Sequence, residues 1–289
     1  MCSKRVWLQL FSGVALILFA LPVMAYQAPW LFAAELASGY DSNVGNAGVS
    51  ADRRSDVFAE FAIRGNRLYM PGDFISLELE GALRGRYYDS YEDLSFAAPE
   101  GVVRLNYRPA ASFRTPTLTG EAVVGYREYA SRLRDGGYYR LGLTLKQPLN
   151  TRLTGRVNTT WNRRLAGNAV FDYEFYSLGL SLDWQVFSRL LVYAGGARRE
   201  GGLVSTSRDD AAIEQVARAW LPDDAIVDPD EEQLAYRLDT SADRYFAGLN
   251  YALKDGLSLD MQAQHQEADT YGGISYRRYQ LMAALMLRF

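Results

Sequence analysis

Arginines at alternate positions are the side chains of this sequence best suited to binding a ligand. A guanidinium presents a planar fork of N–H donors that binds carboxylate, sulfate or phosphate through two hydrogen bonds, and it is less strongly hydrated than a lysine ammonium. A wall of such groups would favour anionic solutes. Those expected to provide this selectivity are Arg84, Arg86, Arg104, Arg108, Arg127, Arg140, Arg152 and Arg156.

A second interpretation of these arginines is purely structural. Glu78, Glu80 and Glu121 share the polar phase of their segments, so the arginines can pair with carboxylates on neighbouring strands and simply fill the interior. Both interpretations require strands that turn one polar face inward.

The elements that must position these residues are β-strands. Apolar and polar residues alternate with a period of two, in segments of about ten residues, the length at which a tilted strand crosses a bilayer. From Phe74 to Tyr88, leucines and Ile75 occupy one face, and glutamates and arginines the other. Twelve such segments begin near Trp30, Asp56, Asp73, Val102, Thr117, Tyr138, Thr151, Tyr173, Arg189, Arg244, Leu257 and Ser275.

The connections between segments alternate between short and long, which is typical of bacterial barrels. Asp255-Gly256 suits a tight hairpin turn, whereas the region 201–243 predicts a long acidic loop. Aromatic residues near the segment ends suit the headgroup level of a membrane. They are Trp30, Tyr107, Tyr126, Trp161, Tyr176, Trp184, Tyr251 and Tyr279. A soluble β-sandwich would alternate in the same way, but it does not account for the loop asymmetry.

The amino terminus predicts export. Lys4 and Arg5 precede an apolar stretch that ends in Val23-Met24-Ala25, which is the pattern of a secretory signal peptide over residues 1–25. Cleavage there removes Cys2, the only cysteine, so the mature chain 26–289 is expected to have no thiol chemistry. The net charge of -3 does not suit nucleic-acid binding.

Two segments carry family resemblances. The ending Leu285-Met286-Leu287-Arg288-Phe289 resembles the final strand by which outer-membrane barrels of Gram-negative bacteria are recognised, which implies the barrel assembly machinery as a partner through Phe289. Residues 37–44 (ASGYDSNV) resemble the first strand and loop of barrel families found in polysaccharide export and surface-lipoprotein assembly. The arginine pattern resembles that of small twelve-stranded porins for acidic oligosaccharides.

The acidic loop contains a short amphipathic stretch. Asp210 can cap a helix in which Ala212, Ile213, Val216, Ala217 and Trp220 share one face. Such a face must be covered, either by folding into the barrel mouth as a plug or by lying over the rim. The sequence is compatible with both arrangements.

Catalysis is the competing class of function. Outer-membrane phospholipases and lipid A deacylases resemble each other in needing a histidine base, and His265 is the only histidine. The sequence lacks the His-x-Ser spacing of the phospholipase, because Gln266 and Glu267 follow His265. A histidine within hydrogen-bond reach of a serine or carboxylate would favour catalysis. No catalytic residue, metal site or cofactor is predicted.

The sequence therefore predicts an all-β protein, a transmembrane antiparallel up-and-down β-barrel of about twelve strands in the outer membrane, surrounded by lipid and lipopolysaccharide. The expected function is porin-like passage of small or oligomeric anionic solutes. The alternatives are an accessory role in export of a surface polysaccharide or protein and a lipid-modifying activity.

Overall fold

The computed structural model describes residues 26–208, 211–226, 232–270 and 273–289. The predicted signal peptide, residues 1–25, lies outside the described residues. No helix within these described ranges is long and apolar enough to cross a membrane.

The chain folds almost entirely into antiparallel strands. Two strands are short, β1 (Tyr26–Gln27) and β11 (Ala219–Pro222), and the helix α1 covers Ala211–Val216. The twelve long strands are β2 (Leu31–Asp41), β3 (Asp56–Gly72), β4 (Ile75–Tyr88), β5 (Phe96–Tyr107), β6 (Thr117–Tyr129), β7 (Gly136–Pro148), β8 (Leu153–Ala166), β9 (Tyr173–Phe187), β10 (Leu190–Arg208), β12 (Gln233–Lys254), β13 (Leu257–Thr270) and β14 (Ser275–Arg288).

The twelve long strands close into a barrel. Each pairs with its neighbours in the chain, and the last pairs with the first along a ladder from Gln280↔Asp41 to Arg288↔Ala33. The backbone of Phe289 extends this ladder, because its carbonyl accepts from Phe32 N at 3.0 Å and its N–H donates to Phe32 O at 3.0 Å. Closure pairs the strand edges that an open sheet would expose. The predicted twelve-stranded barrel is confirmed, and the β-sandwich alternative is wrong.

The outer surface of the barrel is apolar. On β9, residues Tyr176, Leu178, Leu180, Leu182 and Trp184 are all at least 50% exposed, whereas Ser181 and Asp183, between them, face inward. Side chains of a strand alternate between its two faces, so an apolar outside leaves the polar residues to line the lumen. Both the barrel and this outer surface are those of an outer-membrane protein, as predicted.

The two ends of the barrel differ. We call the end with the connections 73–74, 108–116, 149–152, 188–189 and 255–256 the turn end, and the opposite end, which carries the two longest connections, 42–55 and 209–232, the loop end. Gly256 has φ +75° in the turn after β12, a left-handed conformation that glycine adopts without steric cost. Both described termini lie at the turn end, which faces the periplasm in bacterial barrels.

Two segment boundaries differ from the predicted ones. β5 begins at Phe96 rather than near Val102, because Pro99 lies within the strand, and proline normally argues against a strand interior. The predicted loop 201–243 is shorter than expected. Residues 201–208 continue β10, and residues 233–243 belong to β12, so the connection covers only 209–232. Pairing between these two strands extends their hairpin beyond the predicted membrane-spanning length.

Candidate functional site

The connection between β10 and β12 folds into the loop end of the barrel. We call residues 211–226 the plug. Its Ala225 and Ile226 are buried against Phe58 and Tyr88, whose side chains point inward from β3 and β4. Met282, midway along β14, packs against the same cluster. The structure therefore places the end of the plug, Ala225 and Ile226, in the mouth, whereas Ile213 of the helix α1 packs on the part of β12 that extends beyond the predicted membrane span.

A buried ion pair fixes the plug to the wall. Arg134, in the connection after β6, approaches Asp223 Oδ2 at 2.6 Å and Oδ1 at 2.7 Å. The Asp223 side chain is 0% exposed, and its Oδ2 also accepts from Thr206 Oγ1 at 2.6 Å. Ser131 Oγ donates to Asp224 at 2.6 Å. Two plug carboxylates thus meet donors on the barrel, as charge-assisted bonds of the stronger kind.

The first loop, residues 42–55, holds the extended β10–β12 hairpin from the other side. Thr206 N donates to Gly45 O at 2.7 Å, and Ser205 Oγ donates to Asn46 O at 2.8 Å. Arg208 Nε lies 2.6 Å from Asp52 Oδ1. The helix α1 packs through Ile213 on Leu234, Tyr236 and Leu238. Trp220, predicted on the same helical face, instead belongs to β11 and is 50% exposed.

The turn half of the lumen contains a charge network centred on Arg104. Its Nη1 atom lies 3.0 Å from a carboxylate oxygen of Glu78 and 3.0 Å from one of Glu80, and its Nε atom lies 2.8 Å from one of Glu121. Arg140 shares Glu121 at 2.9 Å. A cavity of about 610 Å³ lies beside the network, lined by Glu35, Arg64, Glu78, Glu80 and Arg104 among others.

The eight arginines predicted from the sequence fall into three groups. Five are ion-paired with lumen carboxylates: Arg84 with Glu100, Arg86 with Glu60, Arg104 and Arg140 as above, and Arg156 with Asp183. Arg108 and Arg152 lie in turns outside the strands. The guanidinium carbon of Arg127 lies 5.0 Å from the ring centre of Phe96 and 4.9 Å from the ring centre of Tyr138. Pairing across neighbouring strands, the structural interpretation above, therefore accounts for most of the wall.

Arg127 belongs to a cluster that sequence reasoning only partly found. We call Arg127, Arg164 and Arg199 the arginine cluster; all three are on the inner wall near the loop end. Arg199 is stacked 3.6 Å from the Phe175 ring centre, and Arg164 lies 5.0 Å from that of Tyr129. Arg199 was missed because Arg198 precedes it, and only the strand register shows which of two adjacent arginines faces inward.

His265 lies on the outer face of β13. Its ring stacks on Tyr279 with centres 4.4 Å apart, and Nε2 lies 3.2 Å from Glu267 Oε1. A carboxylate is thus within reach, which is one of the features expected of a catalytic histidine. The same carboxylate oxygen also lies 3.1 Å from Arg277 Nε. Among the residues that the structure describes, there is no group of three histidines, cysteines or carboxylates arranged to bind a metal.

Comparison with known proteins supports the fold. No protein-family model matches the chain, and no curated protein matches it. Among solved structures, the COG4313 outer membrane channel from Pseudomonas putida F1 is 14% identical, with TM-score 0.59, over 93% of this chain and 97% of that one. The NanC porin is 8% identical, with TM-score 0.47, over 88% and 98% of the two chains. The KdgM porin in complex with oligogalacturonate is 8% identical, with TM-score 0.47, over 89% and 99%.

The likeness to the Pseudomonas channel shows a shared fold. It extends along nearly the whole of both chains, so the barrel as a unit is what the two have in common. The chain therefore shares the barrel fold of that protein, and its function must be argued from its own lumen.

Proposed function

We propose that this protein is an outer-membrane channel for small solutes that carry an anionic group. The observation that supports this most directly is a closed barrel with an apolar outside and a charged lumen that holds a cavity of about 610 Å³. A twelve-stranded barrel lies between eight-stranded barrels filled by side chains and wide sixteen-stranded porins. A narrow passage for small molecules suits this size.

The preference for anions rests on the loop half of the lumen. Most of the arginines in the turn half are matched by carboxylates, so their charge is compensated where they stand. The arginine cluster lies nearer the mouth, where an entering solute would meet it directly beneath the plug. Charges that line a narrow, low-dielectric passage act strongly on passing ions, because little water screens them.

Planar-bilayer recording of the purified protein tests the proposed function. In a KCl gradient we expect discrete current steps and a reversal potential that indicates preference for Cl⁻ over K⁺. A variant in which a short Gly-Ser linker replaces residues 211–226 should have a higher single-channel conductance than the native protein. Failure of both proteins to conduct would contradict the channel function, and cation preference in both would contradict the choice of solute.

A lipid-modifying activity is the second candidate function, because the Glu267 carboxylate lies within hydrogen-bond reach of His265. A lipid-cleaving histidine needs a nucleophile or an activated water beside it. The contacts of His265 are with Tyr279 and Glu267, and Glu267 is also ion-paired with Arg277. We expect mass spectra of lipid A from cells that express the protein to match those from cells expressing His265→Ala. A change that requires His265 would instead indicate an enzyme.

A further inference from the structure

The three side chains of the arginine cluster lie on alternate strands of one side of the lumen. Arg127 is on β6, Arg164 on β8 and Arg199 on β10. Tyr129, Tyr138, Tyr173 and Phe175 stand between them and offer ring faces to the guanidinium groups. Arg164 also donates to the main-chain oxygen of Arg134, the residue that holds Asp223. The cluster therefore lies immediately beneath the attachment of the plug.

These three arginines differ in their partners from the five predicted arginines that are ion-paired in the lumen. Within the described part of the chain, none of the three forms an ion pair with a carboxylate. Their polar contacts are neutral: Arg164 donates to the Tyr129 hydroxyl at 3.3 Å, and Arg199 donates to Gly202 O at 2.5 Å. Arg127 lies against the rings of Phe96 and Tyr138. The Nε atom of each is buried without a hydrogen-bond partner. Each guanidinium thus retains unused capacity to donate.

Buried like charges without counter-ions are costly. Removing a charge from water costs several kcal/mol, which an opposite charge in good geometry repays. Arg127 and Arg164 lie near each other, because Arg127 stacks on Phe96, whose ring packs 5.2 Å from that of Tyr129, the ring beneath Arg164. Cation–π contacts offset only part of this cost. An anion placed among the three would supply the missing opposite charge.

We propose that the arginine cluster is a binding site for the carboxylate or phosphate group of a small organic anion, held beneath the plug before it passes along the lumen. The inference rests on the proposed function and adds to it a location and a ligand chemistry. Guanidinium forks bind carboxylate or phosphate through paired hydrogen bonds. The hydroxyl groups of Tyr129 and Tyr173 provide further donors, and the neighbouring rings suit the flat face of a sugar or aromatic acid.

Binding is measured by titration calorimetry of the full-length mature barrel in detergent at low salt. Glucuronate and inorganic phosphate serve as the two probes, and glucose serves as the uncharged counterpart of glucuronate. We expect glucuronate to bind and glucose to show no binding. Preference for phosphate over glucuronate would identify the anionic group as a phosphate. Because a hydrogen bond to a charged group is worth about 1.5–3 kcal/mol, Arg164→Gln or Arg199→Gln should weaken binding about tenfold or more.

The matched control is the preceding residue on the same strand. Arg198 points outward, is 59% exposed and pairs with Glu200 and Asp243, so Arg198→Gln removes one charge without touching the lumen. It should leave the affinity for glucuronate unchanged. Arg199→Lys keeps the charge but loses the fork, and it shows whether the geometry as well as the charge is needed. Glucuronate should also raise the unfolding midpoint of the native barrel, because a ligand that binds only the folded state stabilises it.

Two results would overturn the inference. One is a native barrel that binds neither glucuronate nor phosphate, and the other is an equal loss of affinity in Arg198→Gln and Arg199→Gln. Failure of the channel function is distinguishable from both. A barrel that binds glucuronate through Arg199 yet passes no current supports the site and contradicts the channel. A barrel that passes current but does not bind glucuronate or phosphate supports the channel function and contradicts the binding site.

Discussion

Alanine in place of Arg134 is expected to open the loop end of the barrel and to raise single-channel conductance several-fold. Asp223 is fully buried, and Arg134 is its ion-pair partner. Removing one member of a buried ion pair strands the other charge, at a cost of about 3–5 kcal/mol. The stranded carboxylate regains water when the plug leaves the mouth. A free-energy change of that size shifts the closed-to-open ratio by two to three orders of magnitude or more.

The chain offers two controls for this prediction. Arg132 lies in the same short turn but is exposed, so Arg132→Ala should conduct as the native protein does. The double variant Arg134→Ala with Asp223→Ala leaves no buried charge and should return part of the way to the closed state, as a double-mutant cycle requires of interacting residues. If Arg134→Ala conducts as the native protein does, the apolar contacts of Ala225 and Ile226 hold the plug, and the ion pair is dispensable.

Arg104→Ala is expected to destabilise the barrel by about 3 kcal/mol, the lower end of the range for a broken buried ion pair, and to shift the lumen towards cations. One guanidinium here serves Glu78, Glu80 and Glu121. Without it, Glu80, whose side chain is only 4% exposed, remains charged and unpaired. Denaturant unfolding in micelles measures the loss of stability, and the reversal potential in a KCl gradient measures the change in selectivity.

Arg84→Ala is the comparison for this variant. Arg84 has one carboxylate partner, Glu100, and its side chain is 41% exposed. An ion pair of that exposure contributes about 1 kcal/mol or less to the free energy of unfolding. The midpoint of denaturant unfolding should therefore move much less for Arg84→Ala than for Arg104→Ala. Equal effects of the two substitutions would mean that Arg104 is not the centre of the network.

Most strand positions could be predicted from alternation alone, since a barrel strand has one lipid face and one lumen face along its whole length. β3, β6, β9, β13 and β14 begin at the predicted residues. The exceptions have local physical causes. Pro99 interrupts the strand pattern within β5, and the extended part of β12 packs against the plug rather than lipid, so it lacks an apolar outer face.

The candidate site was less predictable, because it depends on pairing between strands. Alternation indicates that Arg104 faces the lumen, but only the register of β4, β5 and β6 brings it to three carboxylates. The same register leaves Arg127 beside aromatic rings. No local pattern indicates that Asp223, one of eleven acidic residues in the predicted loop 201–243, is the one that meets Arg134. Composition predicted a charged interior, and the fold decides which charges are compensated.

The contacts between the first loop and the extended β10–β12 hairpin also bear on the order of folding. Asn46 and Val204, joined by a hydrogen bond, are 158 positions apart, and Ser205 and Asn46 are 159 apart. Contacts of such long sequence separation form late, because the intervening chain must first be brought together. Here that chain comprises the walls from β3 to β10. We therefore expect the entrance to close only after most of the barrel has assembled, so that an unfinished barrel stays open.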